Sequence, residues 1–397
     1  MLLMDTLRCL VHASDMTIFY LVNARMPTEK AHGVAIAKSC EAFACAGATV
    51  ELVVPRRYTP FKGDVFSAYG IDRVFNIRRL FVIDALRWFD GSAAFFIEAV
   101  TFYVHAFFFM ICRSRKHIVY TRDVWLCLLS LVGFRVWYEC HAVARHRLFF
   151  WLARRAQGVI PISHALASAF VAHGFPQDAI VVAPSGVDLS VFAIETSRED
   201  ARRQLALPPH VSLAVYTGNF TTFGEDKGIA DILHALALVP HVMFVAYGGS
   251  EADIARYEQV AHVTGVSDRV LLRSHVSQSV LALVQRAAHM LLMPFPDTPH
   301  YRAHMSPVKM FEYMASGRPI IASDLPTIRE ILNDDISYGV PAGDVRALAC
   351  MMSYVHMHPQ EAEAKAMRAR KVVEAYTWST RAAKILSLIQ RTCDTIT

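Results

Sequence analysis

The sequence predicts an α/β protein built from two doubly wound domains, each with a mostly parallel sheet. The chain has 397 residues, which is enough for more than one sizeable core. Short apolar strands alternate with amphipathic helices, which is the pattern of consecutive βαβ units. This alternation breaks near residue 190 and begins again near residue 210. In such sheets ligands collect at the carboxyl ends of the strands, so we expect functional residues there.

The break in the pattern defines the predicted domains. We assign an N-terminal Rossmann-like domain to residues 16–190, a linker to 191–209, a C-terminal Rossmann-like domain to 210–378 and a final helix to 379–397. The linker is charged and ends in two consecutive prolines. Residues 1–15 lack the sustained apolar run of a signal peptide, so we treat them as an upstream extension outside the fold prediction.

Each predicted strand is a short apolar run rich in β-branched and aromatic residues. In the first domain these runs lie at 17–22, 49–55, 117–121, 134–139, 158–163 and 180–186. In the second domain they lie at 212–218, 241–249, 269–274, 289–295 and 318–323. Helices fill the intervals, and Gly47 is placed to end the first of them as a left-handed cap.

Composition and charge exclude several classes of protein. The eight cysteines form no C-x-x-C pair and lie mostly within apolar segments, which favours a reducing compartment over a disulfide framework or a zinc site. Residues 1–190 carry a net charge of +6 and residues 191–397 a net charge of −1. A basic first half suits an anionic membrane surface or an acidic acceptor, although scattered solvated charges explain it equally well. No basic run interleaved with aromatic residues indicates a nucleic-acid partner.

One apolar stretch, residues 93–112, is long enough to cross a membrane. Glu98 and His105 lie inside it, and Arg113 and Lys116 follow it, where cations suit the end of a helix. Polar groups are costly in lipid. We therefore predict a helix that is buried or touches the membrane, with a true membrane span as the alternative.

The most informative segment for chemistry is a helix start in the second half. Ser306 is predicted as its N-cap, Pro307 as its first residue and Gly317 as its end. A helix start offers unpaired N–H groups and a positive dipole end, which suit a diphosphate. Glu312, less than two turns further along, is placed to accept hydrogen bonds from a ribose diol. The alternative is a well-capped helix without a ligand.

A second feature follows the first strand of the same domain. Gly218 and Asn219 end that strand, and Lys227 with Gly228 precede the next helix. Lysine supplies a point charge for phosphate oxygens, and glycine allows the backbone to come close to a ligand. A lysine–glycine pair is common by itself, but its place after a first Rossmann-type strand favours a phosphate site.

The first half contributes a long polar loop and a strand-end histidine. Residues 23–33, which end in Gly33, form a longer connection than βα units usually have, which favours a site. Glu139 and His141 lie at the carboxyl end of a strand. A histidine in this place is either catalytic or a structural hydrogen-bonding group, and both interpretations stay open.

Together these segments resemble the retaining glycosyltransferase family 4, whose members have the GT-B fold. The resemblance covers nearly the whole chain from Met16. It is carried by PTEKAHG (27–33), VYTRD (119–123), YECH (138–141), ISHAL (162–166), APSGVDLSVF (183–192), YTGN (216–219), KG (227–228) and SPVKMFEYMASGRPIIASDLPTIREIL (306–332). The resemblance implies two Rossmann-like domains facing each other across a donor and acceptor cleft, with the last helix returning to the N-terminal domain.

The resemblance also implies roles for individual residues. The catalytic residues would be His141 at the transferred sugar, Lys227 at the donor diphosphate and Glu312 at the ribose hydroxyls. The residues that would line the donor are Gly33, Gly218, Asn219, Lys227, His275, Val276, His304, Ser306, Pro307 and Glu312. Among these, the backbone near His275 and Val276 would hold the base. The family needs no catalytic metal, so we expect neither a metal nor another cofactor.

Two positions depart from the family pattern. Many members have an arginine after the strand-end glycine, where this chain has Asn219 and lacks that phosphate charge. Many also have a glutamate eight residues before the position of Glu312, where this chain has His304. Both departures bear on the identity of the donor sugar. Lys227 and Glu312 remain, so the resemblance still implies an active enzyme.

The resemblance therefore implies a hexosyltransferase that moves a sugar from a UDP- or GDP-linked nucleotide-sugar to a glycan or lipid-linked acceptor, with retention at the anomeric carbon. We expect it in the cytoplasm, peripheral at the inner face of a bacterial cell membrane, where surface polysaccharide or glycolipid is made. Two alternatives remain, a sugar-nucleotide epimerase with this architecture and a non-catalytic GT-B subunit that binds a partner enzyme.

Overall fold

The chain forms two compact units in the computed structural model, and each has its own sheet. The first unit contains the chain up to Ser185 and again from Trp378, and the second contains Gly186–Thr377. The structure describes residues 16–59, 63–89, 91–144, 146–222 and 224–394.

The first unit is built on a six-stranded parallel sheet. Its strands are β1 (Thr17–Leu21), β2 (Thr49–Pro55), β3 (Asn76–Leu80), β4 (Ile118–Thr121), β5 (Arg135–Cys140) and β6 (Gly158–Pro161). They lie in the order β3-β2-β1-β4-β5-β6, and each neighbouring pair is parallel. The chain order reverses between β1 and β4, which is the switch point of a doubly wound sheet.

Helices connect these strands and close the core. They are α1 (Ala31–Cys45), α2 (Val65–Tyr69), α3 (Ser92–Ile111), α4 (Arg147–Ala153) and α5 (His164–Ala172), with 3-10 turns at Ala85–Arg87, Val124–Val132 and Gln177–Ala179. Phe102 of α3, Phe149 of α4 and Phe170 of α5 lie in one apolar core with side chains of the sheet. Burial of such large side chains stabilises the unit by about 1.5–3 kcal/mol each.

Two strands of this unit differ from the prediction. The sequence pattern does not reveal β3, because β3 lies at the sheet edge and all five of its side chains are at least partly exposed. The predicted strand at 180–186 is wrong. This segment bonds to β6 through the N–H groups of Val181 and Ala183, but Pro161 and Pro184 have no N–H with which to extend the ladder.

Among the described residues, α3 is the one helix that is long and apolar enough to cross a membrane. A third of its apolar stretch is buried within the protein. Its buried side includes Glu98, whose carboxylate lies 3.3 Å from Arg57 Nη1. Its exposed side carries apolar residues at four-residue intervals, namely Phe96, Val100, Val104 and Phe108. The helix thus packs on the unit through one side and leaves an apolar stripe on the other.

The second unit repeats this architecture. Its strands are β7 (Ser212–Thr217), the short hairpin strands β8 (Thr221–Thr222) and β9 (Glu225–Asp226), then β10 (Val242–Tyr247), β11 (Val270–Arg273), β12 (Met290–Met293), β13 (Ile320–Ser323) and β14 (Tyr338–Val340). The large sheet has the order β11-β10-β7-β12-β13-β14, with parallel neighbours. All five predicted strands are present. The three-residue β14 is too short to show a pattern in the sequence.

The helices of the second unit begin before its sheet. They are α6 (Leu189–Phe192), α7 (Arg198–Gln204), α8 (Ile229–Ala237), α9 (Glu251–Thr264), α10 (Gln278–Arg286), α11 (Pro299–Ala303), α12 (Val308–Ser316), α13 (Pro326–Arg329), α14 (Val345–Met357) and α15 (Pro359–Val372), with 3-10 turns at Ser267–Arg269 and Val373–Ala375. The sheet separates two apolar cores, one formed with α10 and α12 and the other with α8 and α14.

The segment 191–209, predicted as a linker, is a packed part of this unit. The guanidinium of Arg202 in α7 is buried and donates to the carbonyl oxygens of Ala287 and Pro209, both at 2.9 Å. It also donates to His289 Nδ1 at 2.6 Å. The charged run therefore does not span solvent, because this arginine turns inward and satisfies backbone carbonyl groups.

The last helix, α16 (Trp378–Asp394), belongs to the first unit. It packs against α1 and β6, and its buried face includes Ile385, Leu388 and Ile389. Arg381 lies on the same helix and is almost fully buried. A buried charge on a terminal helix needs a partner within the unit, and that partner is described below.

We predict that Arg202→Met lowers the free energy of unfolding by about 2–3 kcal/mol, because several buried carbonyl groups lose a charged donor at once. Arg203→Met is the matched control. Arg203 is the neighbour of Arg202 on the same helix, and its side chain is 79% exposed, so it should tolerate the change. Thermal melting of both variants checks this. Equal melting temperatures would contradict the structural role given to Arg202.

Candidate active site

The predicted site residues of the second unit lie at the carboxyl edge of its sheet. Gly218 and Asn219 follow β7, and the loop after β12 leads through α11 to α12. The chain order reverses between β7 and β12, so this place is the switch point of the sheet. In doubly wound sheets this is where a crevice opens for a ligand.

Lys227 is held at the start of α8 by its neighbour Asp226. The Asp226 carboxylate accepts hydrogen bonds from Ile229 N at 2.9 Å and Ala230 N at 3.0 Å, and so caps the helix. It also accepts from the hydroxyl of Tyr257 at 2.8 Å. Sequence reasoning missed Asp226, although an acidic residue just before a helix is a recognisable capping signal.

Glycine is required next to this lysine. Gly228 has φ +89°, and a Cβ there would collide with the carbonyl oxygen of Pro294. The backbone of Lys227 is further fixed by its N–H, which donates to Phe220 O at 3.0 Å. The turn therefore sets the position of the lysine backbone before any ligand is bound.

The ammonium of Lys227 is partly desolvated. Burial lowers the pKa of Lys227 to about 8, and Asp253 opposes this shift. His300 lies close enough for Lys227 to help lower the pKa of that imidazole. An ammonium with few water partners binds a phosphate more strongly than a fully hydrated one, because less solvation is lost.

The start of α12 differs by one residue from the prediction. The helix begins at Val308, and Pro307 rather than Ser306 occupies the N-cap position, with extended backbone angles of φ −72° and ψ 124°. Pro307 has no polar side chain with which to cap this end of the helix. The cap falls on the proline because its ψ of 124° is extended rather than helical. A helix start of this kind favours an anionic ligand through its N–H groups and its dipole.

Glu312 lies inside α12 and is 8% exposed. Burial raises the pKa of Glu312 to about 7, and the positive charge of Lys309 opposes the shift. Gln285, fully buried, lies beside it and is itself fixed by donating to Thr217 Oγ1 at 3.1 Å. The carboxyl group can thus exchange a proton near neutral pH.

Lys309 is a further charged residue at this edge that sequence reasoning did not select. Its Nζ lies 3.5 Å from the centre of the Tyr216 ring, and a Cβ at Gly218 would lie 3.3 Å from it. Burial lowers the pKa of Lys309 well below the ordinary value; Lys227 lowers it further and Glu312 raises it. Two ammonium groups and one carboxyl group therefore influence one another at the switch point.

The remaining predicted residues of the second unit lie in loops at the same edge. Asn219 is half-buried, and its carbonyl oxygen accepts from Tyr216 OH at 2.9 Å. His275 is exposed and Val276 half-buried, and both follow β11. His304 ends α11, its N–H donating to His300 O. Across the described ranges, no group of three His, Cys, Asp or Glu side chains is placed to hold a metal ion.

In the first unit, the buried carboxylate of Glu139 is the centre of a polar cluster. It accepts from Arg381 Nη2 of α16 at 3.0 Å, from the hydroxyl of Tyr120 and from His141 Nε2 at 2.6 Å. Burial alone would raise the pKa of Glu139, but Arg381, His141 and Arg122 outweigh it and hold that pKa well below the usual range. Glu139 is therefore ionised.

His141 is neutral, and its partners fix its tautomer. Arg122 Nη2 lies 2.8 Å from Nδ1 and can only donate, so Nδ1 accepts. Nε2 faces the Glu139 carboxylate and therefore carries the proton. Burial and the charge of Arg122 lower the pKa of His141 to about 4. The side chain keeps 32% of its surface exposed, so an edge of this oriented ring remains accessible.

Gly33 lies within α1 rather than in the loop before it. A Cβ at Gly33 would collide with the hydroxyl of Tyr69, which accepts from Thr28 N at 2.7 Å and donates to Thr28 O at 3.0 Å. The absence of a side chain at Gly33 is thus explained by packing. Its role beside a donor stays a prediction.

The chain resembles known proteins in both sequence and structure. Residues 212–356 match the family described as glycosyl transferases group 1. A D-inositol 3-phosphate glycosyltransferase of Xylanimonas cellulosilytica is 28% identical over 225 residues, which are 54% of this chain and 52% of that protein. A phosphatidyl-myo-inositol mannosyltransferase of Mycobacterium leprae is 32% identical over 84 residues, which are 21% and 22% of the two chains. The chain thus matches about half the length of the first relative.

Two solved structures are similar over nearly the whole chain. Sucrose-phosphate synthase from Thermosynechococcus elongatus has a TM-score of 0.77 at 19% identity, with 96% of this chain and all of that chain covered. Anabaena HepE, solved in complex with UDP and glucose, has a TM-score of 0.71 at 14% identity, with 96% and 99% covered. Similarity at these identities is similarity of fold.

The two units, their sheet orders and these neighbours define a protein of the GT-B fold. The match to the group 1 glycosyltransferases lies at residues 212–356, within the second unit. The resemblance found in the sequence is thereby confirmed, and membership of family 4 is consistent with it.

We predict that Arg381→Met destabilises the first unit by about 3 kcal/mol, because the Glu139 carboxylate loses its principal charged partner while buried. The double variant Glu139→Gln/Arg381→Met should recover part of that loss, since it removes the uncompensated charge. Thermal melting measures both, with Lys384→Met, exposed on the same helix, as the control. A double variant no more stable than Arg381→Met alone would contradict the pairing.

Proposed function

We propose that the protein is a retaining glycosyltransferase that uses a UDP- or GDP-linked sugar and a glycan or lipid-linked acceptor. The observation that carries this proposal is the surplus of positive charge at the switch point of the second sheet. There a half-buried lysine at the start of α8 and a buried lysine, Lys309, lie close to the start of α12. Both features favour a phosphate-bearing ligand.

In the proposed donor complex each group has a separate task. Lys227 pairs with the diphosphate, and N–H groups near Ser306 and Pro307 bind its oxygens. Glu312 accepts hydrogen bonds from the ribose hydroxyls, for which its ionised form is required. Backbone groups at His275 and Val276 hold the base. His304 lies beside the donor sugar, and Asn219 lies beside the phosphate. Lysine ammonium groups and helix N–H groups supply the positive charge, so we propose no catalytic metal.

His141 remains our candidate for the first unit's catalytic group. Its neutral ring is held between Arg122 and Glu139, so a hydrogen bond to a substrate through Nε2 requires that its bond to Glu139 be exchanged. A preoriented donor of this kind stabilises charge that develops on a leaving phosphate. The similarity of part of the chain to transferases of inositol-containing acceptors supports a role in surface polysaccharide or glycolipid synthesis at the cytoplasmic face of a membrane.

We predict that donor affinity follows the ionisation of Glu312. Its pKa of about 7 means that the carboxylate form increases as the pH rises. Binding of a nucleotide-sugar, whose diphosphate diester does not titrate in this range, should therefore strengthen about fivefold or more from about pH 6 to pH 7.5. It should weaken again above about pH 8, as Lys227 loses its proton.

Calorimetric titrations of Glu312→Gln test this assignment. The variant should bind the donor more weakly near neutral pH and lose the rise between about pH 6 and 7.5. Glu258→Gln, an exposed substitution in α9, is the control and should keep the wild-type profile. An unchanged pH profile in Glu312→Gln would remove Glu312 from the donor site.

We also propose that the first unit docks on an anionic membrane surface through α3. The exposed stripe of Phe96 and Phe108 provides apolar contact, with exposed fractions of 67% and 63%. Lys116 follows the helix on the surface, in a half of the chain that is net basic. Apolar contact and basic charge together are the requirement for stable peripheral binding.

We expect the protein to sediment with phosphatidylglycerol vesicles and to be released by high salt or alkaline carbonate, because screening removes the charge contribution. Phe96→Asp/Phe108→Asp should abolish sedimentation. Val263→Asp, 78% exposed in the second unit, should leave it unchanged. Protein that leaves membranes only with detergent would show that α3 spans them and would overturn the docking proposal.

A further inference from the structure

Lys309 is the second residue of α12, and its side chain reaches back to the end of β7. Its Nζ lies 3.5 Å from the centre of the Tyr216 ring and 5.5 Å from that of Phe295. The same atom lies against Gly218, where an added Cβ would be 3.3 Å away. The ammonium is therefore at the strand end where the predicted phosphate site begins.

This ammonium is buried, and it makes no hydrogen bond to any group in the described part of the chain. An ammonium has three N–H donors and normally satisfies them with acceptors or water. The charge of Lys227 acts on it unfavourably, and that of Glu312 favourably. Such a group has a high cost in the ligand-free protein, because a buried charge without partners is strongly disfavoured.

A purely structural role explains this arrangement less well. The ring of Tyr216 attracts the ammonium, but a cation–π contact contributes about 0.5–2 kcal/mol. The desolvation of one ion costs several kcal/mol. If the apolar part of the Lys309 side chain served only for packing, methionine or leucine would pack equally well without that cost. An anion at this position would remove that cost and keep the side chain protonated.

The neighbouring position supplies a reason for such a cation. Asn219 follows Gly218 at the end of β7, and its side chain is uncharged. Asn219 brings no charge to the phosphate site. A bound diphosphate diester carries two negative charges, and Lys227 by itself balances one of them.

We propose that Lys309 is a donor-binding residue whose ammonium supplies the second positive charge for the diphosphate of the nucleotide-sugar, in place of the charge that Asn219 lacks. This inference rests on the proposed function, because it deepens the same donor site. The side chain belongs to the first turn of α12, so the lysine and the positive dipole end of that helix favour the same ligand. The aromatic face of Tyr216 holds the ammonium in place when no anion is bound.

The test compares nucleoside diphosphates with nucleoside monophosphates. UDP, GDP and ADP, with the matching monophosphates, are titrated calorimetrically into the intact wild type, Lys309→Met and Lys309→Arg. Lys309→Met should weaken the preferred diphosphate about 10- to 100-fold and the monophosphate much less. Lys309→Arg, which keeps the charge, should lie close to the wild type. Lys371→Met, exposed in α15, is the control and should behave as wild type.

A second variant separates charge from packing. Asn219→Arg/Lys309→Met places the positive charge on the residue after Gly218 instead, and it should regain most of the diphosphate affinity. Melting temperatures are measured in parallel, and Lys309→Met should melt no lower than the wild type because it removes a buried charge. If Lys309→Met folds poorly, Lys309→Gln carries the same comparison.

The outcomes distinguish this inference from the proposed function. A wild type that binds no nucleoside diphosphate overturns both. If the wild type binds a nucleoside diphosphate and the affinity of Lys309→Met is within twofold of the wild-type affinity, only the role of Lys309 is overturned. Loss of diphosphate and monophosphate binding to the same extent, with a lower melting temperature, also overturns it, because that result identifies a structural lysine.

Discussion

The ion pair between Glu139 and Arg381 holds the first unit together at the point where its chemistry is expected. It joins the last helix, α16, to the carboxyl end of β5, although the two are far apart in the sequence. The same carboxylate receives the proton of His141 Nε2 and so fixes that ring. A buried charge with this many partners is costly to disturb, and the position of the histidine depends on it.

The charged groups at the switch point of the second unit are arranged in the opposite way. Lys227 and Lys309 act on each other with the same sign, and Glu312 is the acidic group that opposes the charge of Lys309. The Glu139 carboxylate is thus satisfied within the chain, whereas the switch point of the second unit keeps positive charge that a phosphate-bearing ligand would balance. This contrast supports the proposal that the second unit binds the donor.

The sequence predicts the fold well because strand and helix periodicity recur through both units. It misses β3 and β14, since an edge strand with exposed side chains and a three-residue strand carry no clear pattern. It places the N-cap of α12 one residue early, because Ser-Pro also matches a capped start. It cannot reveal Arg202 or Lys309, since the direction of a long side chain depends on tertiary packing. Lys227 is recognisable because it lies just before a helix, His141 because it directly follows a strand, and Glu312 because it lies within the first two turns of a helix.

The central claim is that this charge cluster binds a nucleotide-sugar from which the protein transfers the sugar with retention. Proton NMR of the intact protein incubated with α-linked UDP- and GDP-sugars tests it most directly, with water as the acceptor. The account predicts release of nucleoside diphosphate and the α-anomer as the first free sugar. A β-anomer as the first product would contradict retention. A wild type that releases no nucleoside diphosphate from any of these donors would contradict the transferase itself.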